Sequence, residues 1–282
     1  MQSDMKINIF KRFIKRGASV VGGVIIILFI LVAIFGPSLT VYDPLAINLE
    51  GKYQGASWEH PLGTDNLGRD TLTRLVYGAR ITFIISFTSV LSGSFIGMIF
   101  GVLAGYFGGR VDTVIMRATD VLLAFPGLLL AIAIVAILGN GIINTIIAIA
   151  IYSIPYIARI VRGSVLQIRD AEYVQASKVI GASHARIIFV HIIPNSISQV
   201  IVNTTLSLGT AILTSSSLSF LGLGVQPPHP EWGSMLSRAR EVLRSTPIAA
   251  LAPGIAITLV VLSFSLMGDG LRDALDPRLR NN

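Results

Sequence analysis

Five long stretches of this chain contain no Asp, Glu, Lys or Arg: Gly17 to Tyr42, Ile81 to Gly109, Val121 to Ala158, Ile187 to Pro230 and Ser245 to Gly268. A helix needs about 20 apolar residues to cross a bilayer core, so each stretch suffices for one crossing and the third for two. Within the third, Gly139, Asn140 and Gly141 form a turn signal that divides it into two helices joined by a tight hairpin. Six transmembrane helices are therefore expected. Only helices and closed barrels satisfy backbone polar groups in lipid, and these runs lack the alternation of barrel strands, so the fold class is an all-α integral membrane bundle.

The 22 Lys and Arg residues orient that bundle. An even number of crossings puts both termini on one side, and placing them inside leaves 15 basic residues on inner segments against 7 on outer ones. The positive-inside rule thus predicts cytoplasmic termini for this multi-pass chain. "MKINIFKRFIKRGAS" adds a basic amphipathic helix suited to the lipid of an anionic leaflet. The apolar run behind it is too long for a signal peptide and lacks a small-x-small cleavage pattern, which favours retention as an anchor. The net charge of +7 lies beside the crossings and not in a soluble domain, so no nucleic acid is expected as a partner.

Several chemistries are missing. No cysteine is present, which removes disulfides and thiolate metal sites. None of the five lysines follows a phosphate-loop glycine pattern, so the chain is not expected to bind nucleotide. The histidines, His60, His184, His191 and His229, are divided between the two predicted sides, and no metal site is expected. "GTDNLGRD" fails the spacing of a calcium loop and reads as a turn-rich connector capped by Asp70 before an interfacial helix. No ionisable residue lies near the centre of a predicted span, which argues against an ion-coupled carrier.

In the second span Gly93, Gly97, Gly101, Gly105 and Gly109 recur every four residues. Such a stripe bares one helix face to a neighbouring backbone, either within the bundle or on a partner. "RVDTVIMRATD" reads as a short inner loop, and Pro126, Pro155 and Pro253 interrupt the third, fourth and sixth spans. "SSSLSFLGLGVQPPHPEWG" reads as an outer re-entrant or surface segment, and "REVLRS" as a short amphipathic stretch.

The longest polar segment on the predicted inner side runs from Arg159 to His191 and contains all but the last four residues of "EYVQASKVIGASHARIIFVHIIPN", which ends at Asn195. Asp170 and Glu172 are expected in the first turn of a helix, where carboxylates complement the helix dipole. Tyr173, Ala176 and Ile180 share one face, flanked by Ser177; Gly181 stops the helix and Ser183 caps the next. A short helix of this kind fits a groove on another protein or rests on lipid headgroups, and the residues alone leave both readings open.

That segment resembles the EAA motif of binding-protein-dependent ABC importer permeases, whose pattern is Glu-Ala-Ala, then a glycine, and later a proline. Gln175, Ala176 and Ser177 stand at the three letters, Gly181 at the glycine and Pro194 at the proline. Gln175 and Ser177 depart from the pattern, and Glu172, one turn earlier, offers a carboxylate where Gln175 has none. "HPLGTDNLGRDTLTRLVYGARITF", "SFLGLGVQPPHPEWGSML" and "PGIAITLVVLSFSLMGDGLRDALDPRLR" are similar to the C-type permease of dipeptide, oligopeptide and nickel importers.

The resemblance implies a type I importer permease with one N-terminal span and a five-span core. Residues 1–80 would hold the amphipathic helix, first span and outer loop; 81–270 the core with coupling loop 159–191; and 271–282 a cytoplasmic tail. It implies a transport subunit without enzyme activity or cofactor, forming half of a pathway for short peptides. The implied partners are a homologous B-type permease, two cytoplasmic ABC ATPase subunits that would meet Glu172, Gln175, Ala176, Ser177, Gly181 and Pro194, and an extracytoplasmic binding protein. A nickel-chelate or glutathione importer of the same family is the alternative cargo reading, and an ATP-independent carrier the alternative class.

Overall fold

The computed structural model describes residues 13–275, so residues 5–12 of the expected amphipathic helix and the tail beyond 275 lie outside the described residues. The chain runs through α1 (Gly17–Leu39), α2 (Thr71–Phe107), α3 (Gly109–Leu123), α4 (Gly127–Leu138), α5 (Ile142–Arg169), α6 (Glu172–Val179), α7 (His184–Ile187), a π-helical turn (Ile188–Ile192), α8 (Ile193–Phe220), α9 (Trp232–Ala239) and α10 (Ile248–Leu275). Among the described residues, α1, α2, α5, α10 and the continuous stretch from α7 through α8 are each long and apolar enough to cross a membrane.

The third crossing differs from expectation. α3 and α4 together are apolar enough for one broken crossing, which would bring the candidates among the described residues to six, but they meet at a bend of 90°, and α4 alone, with 12 residues, spans only about 18 Å. Pro126 at the head of α4 causes the break: it has no N–H to donate, its ring excludes the preceding helical carbonyl, and it holds Phe125 out of the helical region. "RVDTVIMRATD", expected as a loop, is helical within α3. Its apolar residues Val111, Val114, Ile115 and Ala118 recur at the spacing of one helix face, a period hidden by the charges between them. The turn after α4 follows the Gly-Asn-Gly signal. Gly139 and Gly141 take φ of 91° and 131°, and Asn144 Nδ2 donates to the Leu138 and Gly139 carbonyls at 2.8 and 2.9 Å.

α2 is one uninterrupted helix of 37 residues, not an interfacial helix followed by a span. At about 55 Å it is much longer than a bilayer core, so one or both ends project from it. Asp70 caps it by accepting from Thr73 N at 2.7 Å. The "GTDNLGRD" turn before it is folded inward: Arg69, Asp70 and Arg74 are buried, and Asp65 lies 2.6 Å from Arg69 Nη2 and 3.2 Å from Arg74 Nε.

The glycine stripe of α2 faces α5. A Cβ added at Gly97 would lie 2.9 Å from the Ile154 carbonyl oxygen, at Gly101 2.6 Å from that of Ala158, and at Gly105 2.8 Å from Val165 Cβ; at Gly93 it would collide with Ser153. Bare backbone at these positions lets the helices approach and gain dispersion contact, the main attraction left between helices in lipid. Gly109 is outside this contact and opens α3 with φ of 52°. α1 packs on α10 in the same manner, with Gly22 against Ser263 and Gly270 against Ser19.

At the far end of α8 the chain turns back, and Glu231 and Trp232 are buried where α9 begins. Trp232 Nε1 donates to the Leu75 carbonyl at 2.9 Å, and its ring meets Phe29 and Phe83 edge-on. This side chain therefore joins α1, α2 and α9. "REVLRS" is not the amphipathic element expected there; it contributes only a 3-10 turn, Arg240–Val242, because Pro247 follows closely, while the helix lies upstream in α9.

Candidate functional site

α5 extends to Arg169, so the polar segment expected from Arg159 onward begins one helical stretch later. Asp170 terminates α5 and does not open the next helix, since its backbone has left the helical region; its carboxylate sits 3.3 Å from Arg169 Nε. Ala171 precedes α6 in extended conformation, which leaves Glu172 as the carboxylate in the first turn. α6 is only 8 residues long, too short to persist in water alone, so its neighbours must hold it.

One side of α6 is fastened to the bundle. Val174 is 0% exposed and belongs to an apolar cluster with Val161, Val165, Ile187 and Ile192. Gln175 Nε2 donates to the Arg169 carbonyl at 2.9 Å, bridging the break between α5 and α6. Ser177 Oγ donates to the Tyr173 carbonyl at 2.8 Å and lies 3.3 Å from His191 Nε2, while the Tyr173 and His191 rings stand 5.8 Å apart. Beyond the helix, His184 Nδ1 pairs with Tyr106 OH at 2.8 Å, and Lys178 Nζ sits 5.9 Å from the centre of the Tyr106 ring.

The opposite side is bare. Tyr173 and Ala176 are exposed, and Val179 and Ile180 are 87% and 83% exposed, so an apolar strip faces away from the chain. Glu172 is exposed beside it and forms no ion pair among the described residues. Gly181 ends the helix with φ of 83°, a conformation costly to any residue with a Cβ, and the space around it is open. Ser183 caps α7 by accepting from Arg186 N at 3.3 Å. Pro194, exposed at the start of α8, lacks the N–H that the Val190 carbonyl would otherwise accept, and the π-helical turn immediately before it absorbs the mismatch.

The structure thus gathers Gln175, Ala176, Ser177 and Gly181 on or beside α6, with Glu172 at its head, and puts Pro194 one helical stretch away. Sequence reasoning missed Val174, His184 and His191, which fasten the platform. The histidines stand seven residues apart, a spacing that returns to the same helix face and was the available signal. Two further ion pairs hold the elbow: Asp112 takes a bidentate grip from Arg162 at 2.5 and 2.6 Å, and Asp120 meets Arg159 at 2.8 Å. A helix backed on one side and apolar on the other is geometry for docking.

The chain is similar to known proteins in sequence and in fold. Residues 97–281 match the family model described as the binding-protein-dependent transport system inner membrane component, and residues 7–55 match the N-terminal transmembrane domain of oligopeptide transport permease C. The chain is 49% identical over 272 residues to the dipeptide transport system permease protein DppC of Alkalihalophilus pseudofirmus, covering 96% of this chain and 90% of that protein. It is 45% identical over 273 residues to the glutathione transport system permease protein GsiD of Pectobacterium atrosepticum, covering 96% and 91%. In three dimensions it shares the fold of the inward-facing MetNI methionine ABC transporter, with a TM-score of 0.60 at 19% identity over 72% of this chain and 97% of that one. An amino acid ABC transporter crystallised with histidines gives a TM-score of 0.55 at 17% identity, over 70% and 92%. On a family match that takes in two thirds of the sequence and relatives aligned along nearly all of it, the chain belongs to the binding-protein-dependent transport system inner membrane components, the permease subunits of ABC importers.

Proposed function

We propose that this permease forms half of a translocation pathway for short peptides across the cytoplasmic membrane, with a homologous B-type permease as the other half. Two cytoplasmic ABC ATPase subunits supply the free energy, and an extracytoplasmic binding protein delivers the cargo. In this reading both termini are cytoplasmic, residues 81–270 form the importer core, and the coupling loop, expected at 159–191, begins after α5 and covers 170–191. The glycines Gly93, Gly97, Gly101 and Gly105 keep α2 and α5 moving as one body.

The observation that carries the reading is the two-sided character of α6. Its exposed strip, Tyr173, Ala176, Val179 and Ile180, suits a groove on an ATPase, and Val174, Gln175 and Ser177 fasten the same helix to the bundle. A push received on Ala176 therefore passes to α5 without first deforming a loop. ATP-driven closure of the ATPase pair biases two packings of the bundle, inward-open and outward-open, and the permease itself makes and breaks no bonds. Glu172 offers an exposed carboxylate to the ATPase, a part that Gln175 does not fill because its amide is engaged with Arg169.

Relatives named for dipeptide and for glutathione transport support a peptide cargo, glutathione being itself a tripeptide. Reconstitution of the full complex in vesicles tests the reading. Labelled dipeptide should accumulate only with ATP, binding protein and ATPases present, and Ala176→Cys should cross-link to a cysteine scanned along the ATPase groove. Uptake that persists without the ATPases would replace the importer by a carrier.

A further inference from the structure

Halfway along the bundle, α2, α5 and α8 border an open-sided hollow of about 290 Å³, lined by Val90, Tyr152, Ser153, Tyr156, Ser207 and Thr210 among others. Each of these lies near the middle of its helix, away from both ends of the apolar stretches. Its size is close to the lower end of small-ligand pockets, about 300 Å³.

The hydroxyls in it are the unusual feature. On α8, Thr205 and Thr214 return their hydroxyls to the Ile201 and Thr210 carbonyls of their own helix at 2.9 Å, the ordinary arrangement for such residues in lipid. Ser207 and Thr210, between them, do not: among the described residues their hydroxyls and that of Tyr152 have no hydrogen-bond partner. Tyr156 OH reaches only Asn203 Oδ1, at 3.5 Å. Lipid tails have nothing to offer these groups, so each costs free energy unless something polar meets it. The lining also contains no Asp, Glu, Lys, Arg or His.

We propose that this hollow is a cargo-contact site which takes the main chain of a short peptide, its amide N–H and C=O groups meeting the hydroxyls of Tyr152, Ser207 and Thr210. A hydroxyl both donates and accepts, so the site serves a peptide backbone in either direction. With no counter-charge in the wall, the site does not read the charge of the cargo's side chains and does not trap an acidic or basic peptide. This inference rests on the peptide-importer reading above.

The absence of native cysteine makes a direct test available. Thr210→Cys and Ser207→Cys are placed singly in the full complex in vesicles and treated during turnover with a charged, membrane-impermeant methanethiosulfonate. Both should react, and reaction should stop peptide uptake while ATP hydrolysis continues. Leu262→Cys, exposed on α10, a helix that does not line the hollow, should react only with a lipid-soluble maleimide. Saturating Ala-Ala, Lys-Ala and Glu-Ala should slow labelling at Thr210→Cys several-fold and to the same extent. An unreactive Thr210→Cys in a transporter that imports peptide overturns the site, as does labelling that leaves uptake intact, protection that depends on side-chain charge, or a disulfide to the other permease showing that a helix fills the hollow. If the unmodified complex imports no peptide, the peptide-importer reading itself fails, and labelling at Thr210→Cys then shows only that the hollow holds water.

Discussion

Arg169 donates from Nη1 to the carbonyl oxygen of Gly105 across 3.1 Å, tying the last turn of α5 to the last glycine of the α2 stripe. The carbonyl of the same Arg169 accepts from Gln175, so the exposed helix α6, the end of α5 and the end of α2 form one connected unit.

The glycine contact at the heart of that unit should be intolerant of the smallest side chain. Gly101→Ala places a methyl 2.6 Å from the Ala158 carbonyl oxygen and 2.7 Å from Val161 Cβ, so two helix backbones must part. We expect a loss of about 1–3 kcal/mol, read as a lower midpoint of thermal unfolding in detergent. Gly163→Ala, on the open side of α5 where an added methyl meets nothing within 4 Å, should be neutral or stabilising.

Much of this was legible in the residues. Uncharged runs mark the long crossings because lipid penalises charge along a whole helix, and Gly181 marks the end of α6 because a left-handed residue ends a helix locally. The elbow at Pro126 was not legible. A proline in a membrane helix is tolerated, kinked or broken according to what its neighbours supply, and here α5 grips α3 from 50 residues away through Arg162 and Asp112. The fastened side of α6 was hidden for the same reason: Val174 looks no more buried than Val179 until the chain returns with Ile187 and Ile192.

The Arg162 to Asp112 pair should be necessary for the elbow and indifferent to direction. Asp112→Asn leaves a half-buried guanidinium with a weaker partner, which should cost about 1.5–3 kcal/mol of local stability and raise amide exchange across α3. The swap Asp112→Arg with Arg162→Asp should recover most of that protection, as a double-mutant cycle by hydrogen exchange would show.

Gln175 should be irreplaceable by glutamate at its present post. Gln175→Glu restores the motif's carboxylate but removes the donor to the Arg169 carbonyl and sets two oxygens face to face. A loss of about 1 kcal/mol in local stability is expected, appearing as faster amide exchange in α6 than for the parent. Unchanged exchange would mean that the amide bridge contributes nothing.

Uncoupling should follow from bulk on the exposed strip without unfolding. Ala176→Trp leaves every fastening contact of α6 in place, since Val174 and Gln175 lie on the other side. The complex should hydrolyse ATP while peptide accumulation falls to background, and Glu172→Arg should act in the same direction. Normal accumulation by an assembled Ala176→Trp complex would remove α6 from the coupling path.

Glu231 should make stability fall as pH rises. Its side chain is 0% exposed, and burial pushes its pKa above the ordinary glutamate value of 4.5, against the opposing pull of donors including Ser234 N at 2.9 Å and Ser216 Oγ at 3.5 Å. The folded state therefore holds a proton that the unfolded state gives up. The stability this supplies is complete below pH 4.5 and is lost as pH climbs through the raised folded value. Glu231→Gln keeps an oxygen to cap α9 and has no proton to lose, so the unfolding midpoint of the parent should drop more steeply than that of the variant between pH 4.5 and neutrality. Parallel curves would show that the carboxylate is already charged when folded, held so by the serine hydroxyls and backbone N–H groups around it.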